Sequence, residues 1–487
     1  MATPAAERMR QVHLGLASSP CPIAAGREEH AAHEAMLLAR CPARAWPHAS
    51  YRASCPRPVL LTGAHIRHLN VLHDALAAAI ADIVPRWWRD RDAGFPERMP
   101  LPADEEELLQ WLDEQEDAGR LGPFSSCQGS WRPDFLVEGE VRADGSLAEN
   151  FRISEINARF CFNGFMHVAH GSAALTDMVG ATAGSGLVAA TDGEELFEGL
   201  LGLFRHDRPI HLLKGDEPGI DIHMFIEAAR ARLGVAPRLV HPSSLRLALD
   251  AHGRETLCCL SATSPSLRTA AGEAVEEMHQ VGVELRQREL RALPPAIRRH
   301  LALRGVNDAR TALLVHDKRM LGVVRQELGA LVARGALTAA QAALLERGVA
   351  HTFLPGSPEL DDARLLEDRA GYVLKPVRGG KGVGIRFGED MDEAAWREAL
   401  AKLRGRPRPP GDDDEDGRAC VVLQRRVRQL RYELVLGRDG EVVRYPLVGT
   451  YHVVNGRWLG IGIWRSSGER VCAVSSGGSW MCSVVRS

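Results

Sequence analysis

The sequence predicts a mixed α/β (α+β) fold. Three observations carry that expectation: amphipathic helices from residue 63 onward, a β-α-β pattern over residues 209–247, and a strand-rich stretch over 419–487. With 487 residues the chain is long enough for two to four domains. Hydrophobic residues make up 45% and charged residues 25%, as in an ordinary globular protein. A net charge of −3, mixed in sign along the chain, lacks the basic footprint of a nucleic-acid binder.

Residues 1–55 are rich in Ala, Pro, Cys and His and show little periodicity, which predicts a loosely packed, partly disordered arm. From residue 63 a helix is clear: Leu69, Leu72, Leu76, Ile80 and Ile83 share one face, and Pro85 ends the run. A second helix over about 103–117 sets Leu108, Leu109 and Leu112 against an acidic face, and Trp87, Trp88 and Trp111 are expected where these helices meet. A hairpin follows, with Phe135-Leu136-Val137 and Phe151 to Ile156 as strands and Ala143-Asp144-Gly145 as the turn. Residues 209–247 place a strand at Ile210 to Leu213, a helix carrying Ile222, Phe225, Ile226, Ala229 and Leu233, a stop at Gly234, and a strand from Leu239. Residues 310–349 are mostly helical, with a capping box at Thr338 and Gln341 and C-terminal caps at Gly335 and Gly348. A strand-loop-strand spans 371–387, a Pro- and charge-rich surface loop spans 404–416, and 419–487 is expected to form a twisted antiparallel sheet. These patterns divide the chain into 1–62 (arm), 63–184 (helices plus hairpin), 185–305 (small α/β domain) and 306–487 (lysine and glycine-loop part with the C-terminal sheet).

The ten cysteines include no C-x-x-C pair and no Cys/His cluster at zinc spacing, so they are expected as scattered thiols of a reducing compartment. Cys258-Cys259 is taken as two strand positions rather than a redox pair. Met1 to Ala24 lacks a continuous apolar core for a signal peptide, and no stretch approaches the ~20 apolar residues of a membrane span. A soluble cytoplasmic enzyme without nucleic-acid or membrane partners is the expectation. Oligomeric state is not legible.

Two constellations carry chemistry. In the first, Glu155 and Asn157 point to one face of a strand and offer the hard oxygen ligands that Mg²⁺ takes, while Asp134 on the paired strand adds a third. Arg132, two residues before Asp134, faces the same side and can neutralise charge on a transferring phosphoryl group. In the second, Lys375 sits on a short β-run and is followed by Gly379-Gly380-Lys381-Gly382-Val383-Gly384. Such a loop between antiparallel strands can fold over a triphosphate and donate backbone N–H groups, with Lys375 on the phosphates. No Gly-Lys-Ser/Thr follows, so this is not a Walker A loop, and strand rather than helix follows, unlike a dinucleotide fingerprint. Lys318, before the helix at 320–334, is a second phosphate-binding candidate. Gln424, Arg425, Arg426 and Val427 end an apolar strand whose edge can offer backbone groups to an adenine. Glu433 has two readings, a ribose contact or a solvent-facing position.

Together these residues resemble the ATP-grasp superfamily. Val373-Leu374-Lys375-Pro376 with the glycine loop looks like its phosphate-binding strand and loop, and Glu155-Ile156-Asn157 like its Mg²⁺ strand. Here the Glu-x-Asn strand comes first, and Arg132-Pro133-Asp134 precedes it, an order similar to the circularly permuted branch typified by glutathionylspermidine synthetase. The resemblance implies Mg²⁺ ligands at Asp134, Glu155 and Asn157, ATP phosphate contacts from Lys318, Lys375 and residues 379–384, and adenine contacts near Gln424 to Val427. Gly460 to Arg465 resembles a G-x-G-x-R-E segment of that branch, which would make Arg465 catalytic. Trp464 intervenes here, and the acid after the arginine is missing. The chain also looks like stand-alone ATP-grasp enzymes of fungal specialised metabolism. The implied activity is an ADP-forming carboxylate–amine ligase using ATP and Mg²⁺. The alternatives are a phosphotransferase on the same fold and a non-catalytic nucleotide-binding module.

Overall fold

The computed structural model describes residues 8–15, 22–141, 145, 147–182, 185–216, 220–262, 264–411 and 420–487. Most of the expected hairpin turn at 143–145 and the acidic end of the 404–416 loop lie outside the described residues.

Three long helices open the fold: α1 (Pro22–Arg40), α2 (Gly63–Ile83) and α3 (Ala103–Asp117). The first corrects the expectation of a loose arm. Its inner face carries Glu29, His30 and His33 beside Leu37, all buried, so polar residues stand where an apolar stripe would have announced a helix. Thr62 caps α2 by accepting from the His65 backbone.

The long hairpin of β1 (Ser130–Val141) and β2 (Leu147–Asn157) follows, then α4 (Phe165–Ala181). Next come β3 (His211–Lys214), α5 (Ile222–Leu233), β4 (Arg238–Val240), β5 (Leu245–Leu249), β6 (Glu255–Leu260), β7 (Ala274–Glu277) and β8 (Val281–Glu284). Strands β8, β3 and β4 make a parallel sheet, as the β-α-β pattern requires, with Gly234 in the left-handed conformation closing α5. Strands β5, β6 and β7 pair antiparallel in a second sheet.

Helices α6 (Arg319–Ala333) and α7 (Ala339–Gly348) precede a four-stranded sheet of β9 (Thr352–Phe353), β10 (Tyr372–Pro376), β11 (Arg386–Phe387) and β12 (Val421–Arg425), in the order β9-β12-β10-β11. The Thr338–Gln341 capping box is present, but Gly348 is not a left-handed cap. It is the last helical residue, and an added Cβ would lie 2.3 Å from a Leu72 methyl, so glycine lets α7 approach α2.

The C-terminal stretch was expected as one sheet and is instead shared among several. Strands β13 (Arg431–Val435) and β14 (Val442–Pro446) pair with each other. Strands β15 (Val448–Val454), β16 (Arg457–Ser466) and β17 (Ser479–Met481) join the hairpin in a five-stranded sheet of order β17-β16-β15-β1-β2. One face of that sheet, with Phe135, Phe151, Ile153, Tyr451 and Trp464, forms the main core with α2, α3, α6 and α7. No described helix is long and apolar enough to cross a membrane.

Candidate functional site

A β-bulge decides which face the acid strand presents. Asp134 pairs with Glu155, but Phe135 pairs with Ile153, so Ser154 is an extra residue in β2. Strict alternation would send Glu155 into the core behind Phe151 and Ile153. The bulge flips it, leaving Phe151 and Ile153 buried while Glu155 and Asn157 share the opposite face with Arg132 and Asp134. The Ser154 carbonyl accepts from Lys375 Nζ at 3.3 Å and Gln424 Nε2 at 3.3 Å.

The charges on this face are interlocked. Asp134 accepts from Arg132 Nε (2.9 Å) and Asn157 Nδ2 (3.0 Å) through Oδ1, and from Arg465 on β16 through Oδ2. Arg132 also donates to the Asn163 carbonyl at 2.9 Å, and the next turn is held by Asp221, which accepts the Gly164 and Met166 N–H groups at the start of α4. Burial pushes the Asp221 carboxyl up to about 7 against those hydrogen bonds.

The second constellation meets the first directly. A turn of π-helix at Thr311–Val315 ends just before His316-Asp317-Lys318, and that segment is the junction. Buried His316 sets Nδ1 3.3 Å from the Ile156 carbonyl at the end of β2. Lys318 donates its backbone N–H to the Val377 carbonyl at 2.9 Å and its ammonium to the Gly379 carbonyl at 2.6 Å, with Glu155 at 3.4 Å. Lys375 on β10 donates to Gln424 Oε1 at 2.9 Å as well as to Ser154, 221 positions away in sequence. Burial opposes ionisation of Glu155, but Lys318, Lys375, Arg465 and Arg132 outweigh it and hold the carboxyl well below the usual carboxylate range. Burial also lowers the Lys375 ammonium to about 8, with Lys318 pushing the same way and Glu155 resisting.

The glycine loop runs from Gly379 to Gly384 between β10 and β11, with Lys381, Gly382 and Gly384 all at positive φ. Lys381 and Val383 are exposed, and Gly382 packs so closely on Val471 that a Cβ would lie 2.1 Å from its methyl. Beneath the loop, buried Arg378 joins Glu105 of α3 (2.9 and 2.6 Å) to Asp317 (3.2 Å), which in turn holds Arg319 (2.8 Å). Sequence reasoning missed Ser154, Asp221, Asp317, Arg378 and Glu105. Apart from Asp317, which Arg319 bonds from two residues on, their partners lie far away in the chain, where no local pattern announces them.

The segment expected to meet an adenine, Gln424 to Val427, is placed differently from that expectation. Strand β12 lies inside its sheet between β9 and β10, not at an edge. The Arg425 and Arg426 N–H groups are bonded to the carbonyls of His351 and Gly371, both at 2.8 Å, and the Gln424 side chain is engaged by Lys375 and Thr352. The Arg426 guanidinium reaches Glu389 (2.5 Å), away from the lysines. The Arg426 carbonyl and the Val427 backbone take no part in these hydrogen bonds. Glu433 is exposed on β13 opposite Arg444, and among the described residues no hydrogen bond or ion pair joins it to the cluster.

A model of the AnkG N-terminal domain family matches residues 72–314, which include the hairpin and end just before the lysine junction. The ATP-grasp enzyme ankG of Aspergillus thermomutatus is 34% identical over 442 residues, covering 86% of each chain. Among solved structures, a glutathione synthetase-like effector from Globodera pallida in its apo form matches with a TM-score of 0.53 at 12% identity, covering 94% of this chain and 96% of that one. That likeness is one of fold. With 34% identity to an ATP-grasp enzyme over most of both chains, the protein belongs to the ankG family of ATP-grasp enzymes.

Proposed function

We propose that the chain is an ADP-forming carboxylate–amine ligase with a circularly permuted ATP-grasp site, working on small-molecule acids and amines. The observation that carries this reading is the convergence of the hairpin acid and the two lysines: Glu155 faces Lys318 at 3.4 Å, and Lys375 bonds the neighbouring Ser154 carbonyl. Two cations packed around one carboxylate suit a polyanion held with a divalent cation.

The donor set fits Mg²⁺. Glu155 and Asn157 offer hard oxygen ligands, and Asp134, whose two oxygens already accept from Arg132, Asn157 and Arg465, would join them by exchanging one of those contacts for the ion. The Glu155 side chain is 24% exposed, so a cation can reach it. When bound, Mg²⁺ supplies Lewis-acid neutralisation of phosphate charge.

In the proposed reaction the substrate carboxylate attacks the γ-phosphorus of ATP, giving an acyl phosphate and ADP. An amine then attacks the acyl carbon and expels phosphate, forming the amide. Lys318 and Lys375 bind the phosphates, and the 379–384 loop supplies backbone N–H groups and excludes water from the acyl phosphate. Arg132 and Arg465, both anchored on Asp134, stabilise charge on the transferring group. The adenine is assigned to the chain from the Arg426 carbonyl through Val427.

Product analysis tests this. The protein is incubated with Mg·ATP, pooled carboxylic acids and hydroxylamine. Acid-dependent ADP together with a hydroxamate is the expected result. AMP formation, or a stable phosphorylated product without hydroxamate, would overturn the ligase reading.

A further inference from the structure

Among the described residues outside the ATP site, one cluster of buried ligand-type side chains has no role in the chemistry above. His211 opens β3, Cys259 lies on β6 and Glu276 on β7, where Cys259 and Glu276 are direct register partners. All three are buried, at 0%, 4% and 6% exposure. Their ligand atoms lie within 4.8 Å of one another.

Among the described residues, neither ring nitrogen of His211 has a hydrogen-bond partner. A fully buried imidazole without a partner is uncommon and costly in a folded protein. Its Nε2 points toward Glu276 Oε1 at 3.7 Å, too long for a hydrogen bond. The other carboxylate oxygen, Oε2, is engaged by Arg238 of β4, whose side chain is 37% exposed and reaches in from the surface. The two oxygens are thus divided: one faces the imidazole, and the other is fixed from outside, as the outer oxygen of a ligating carboxylate usually is.

We propose that His211, Cys259 and Glu276 form a binding site for a borderline divalent transition metal, Zn²⁺ by preference. One nitrogen, one sulfur and one oxygen donor match zinc, whereas Mg²⁺ and Ca²⁺ take oxygen ligands only. Three protein ligands leave one position for water. The site ties β3 of the parallel sheet to β6 and β7 of the antiparallel sheet, so the ion staples the two sheets of the small α/β region. Its ligands are separated by 48 and 17 positions in sequence, so no motif spacing announces them.

Cobalt substitution of the full chain tests the proposal. The protein is stripped of metal, kept free of nucleotide and titrated with Co²⁺. The expected result is one equivalent bound with a near-ultraviolet thiolate-to-cobalt band, and loss of that band with at least a hundredfold weaker binding in Cys259→Ser. The oxygen-only ATP site cannot produce a thiolate band, so Glu155→Gln retains it. Should Cys259→Ser fail to fold, Zn²⁺ added to stripped wild-type protein is expected to raise its melting temperature, with chelator reversing the rise. A titration without the thiolate band, a band that persists in folded Cys259→Ser, or an unchanged melting temperature would overturn the assignment.

Discussion

Replacing Glu155 with glutamine removes the carboxylate that faces Lys318 and Lys375, the lysines proposed to bind phosphate, and its consequences should have opposite signs with and without metal. At 3.4 Å the Glu155–Lys318 attraction is worth about 5 kcal/mol at an effective dielectric constant of ~20. This is a ceiling, because a quarter of the Glu155 side chain is in water. In the nucleotide-free protein that attraction competes with phosphate for the lysines. Its loss should therefore tighten binding of metal-free ATP, by roughly tenfold if ~1.4 kcal/mol of the competition is released. With Mg²⁺ present the same substitution removes a proposed metal ligand, so Mg·ATP binding should weaken and turnover should fall by about 10²–10³. Isothermal titration of ATP in EDTA and in excess Mg²⁺ reads both arms. The ratio of the two dissociation constants should collapse in Glu155→Gln. A variant whose two constants and turnover match wild type would refute the assignment of Glu155 to the metal.

Lys375 should impose a pH dependence. Its folded pKa of about 8 lies below its ordinary 10.5, so the free protein loses this charge as pH rises through 8. Mg·ATP affinity should then weaken by up to tenfold per unit above pH 8 and level off in Lys375→Met; affinity rising with pH would contradict this. The unfolded chain keeps that proton up to about 10.5, so folding stability should increase by up to ~3 kcal/mol between pH 8 and 10.5 from this residue. Glu105→Ala leaves Arg378 buried with Asp317 as its remaining acid and should cost about 3–5 kcal/mol in denaturant unfolding; a cost under ~1 kcal/mol would refute its role beneath the loop. Gly382→Ala drives a Cβ into Val471 at positive φ and should lower kcat/KM by roughly tenfold or more with little change in melting temperature. Adding Val471→Ala should recover part of that loss, and no recovery would place the loop's constraint elsewhere.

The parts legible in the sequence are those whose signal is local. The lysine strand, the glycine loop and the strand ending in Glu155-Ile156-Asn157 each lie within a short run of consecutive residues, so their placement on strand and loop was readable locally. What escaped was decided by distant partners. The bulge at Ser154, which turns Glu155 out of the core, leaves no mark in an otherwise alternating strand. Strand β12 looked like an edge because its neighbour β9 is only two residues long, Thr352–Phe353. Arg378 finds Glu105 across 273 positions. Helix α1 hid because Glu29, His30 and His33 occupy its buried face.

The central claim is that the hairpin acids and the distant lysines form one Mg·ATP site, and ATP-dependent Mn²⁺ binding followed by electron paramagnetic resonance tests it most directly. Wild-type protein should bind one Mn²⁺ tightly only when ATP is present, Glu155→Gln should lose that ion while still binding ATP, and Lys375→Met should lose both together. Equal ATP-dependent Mn²⁺ binding in all three proteins would contradict the claim.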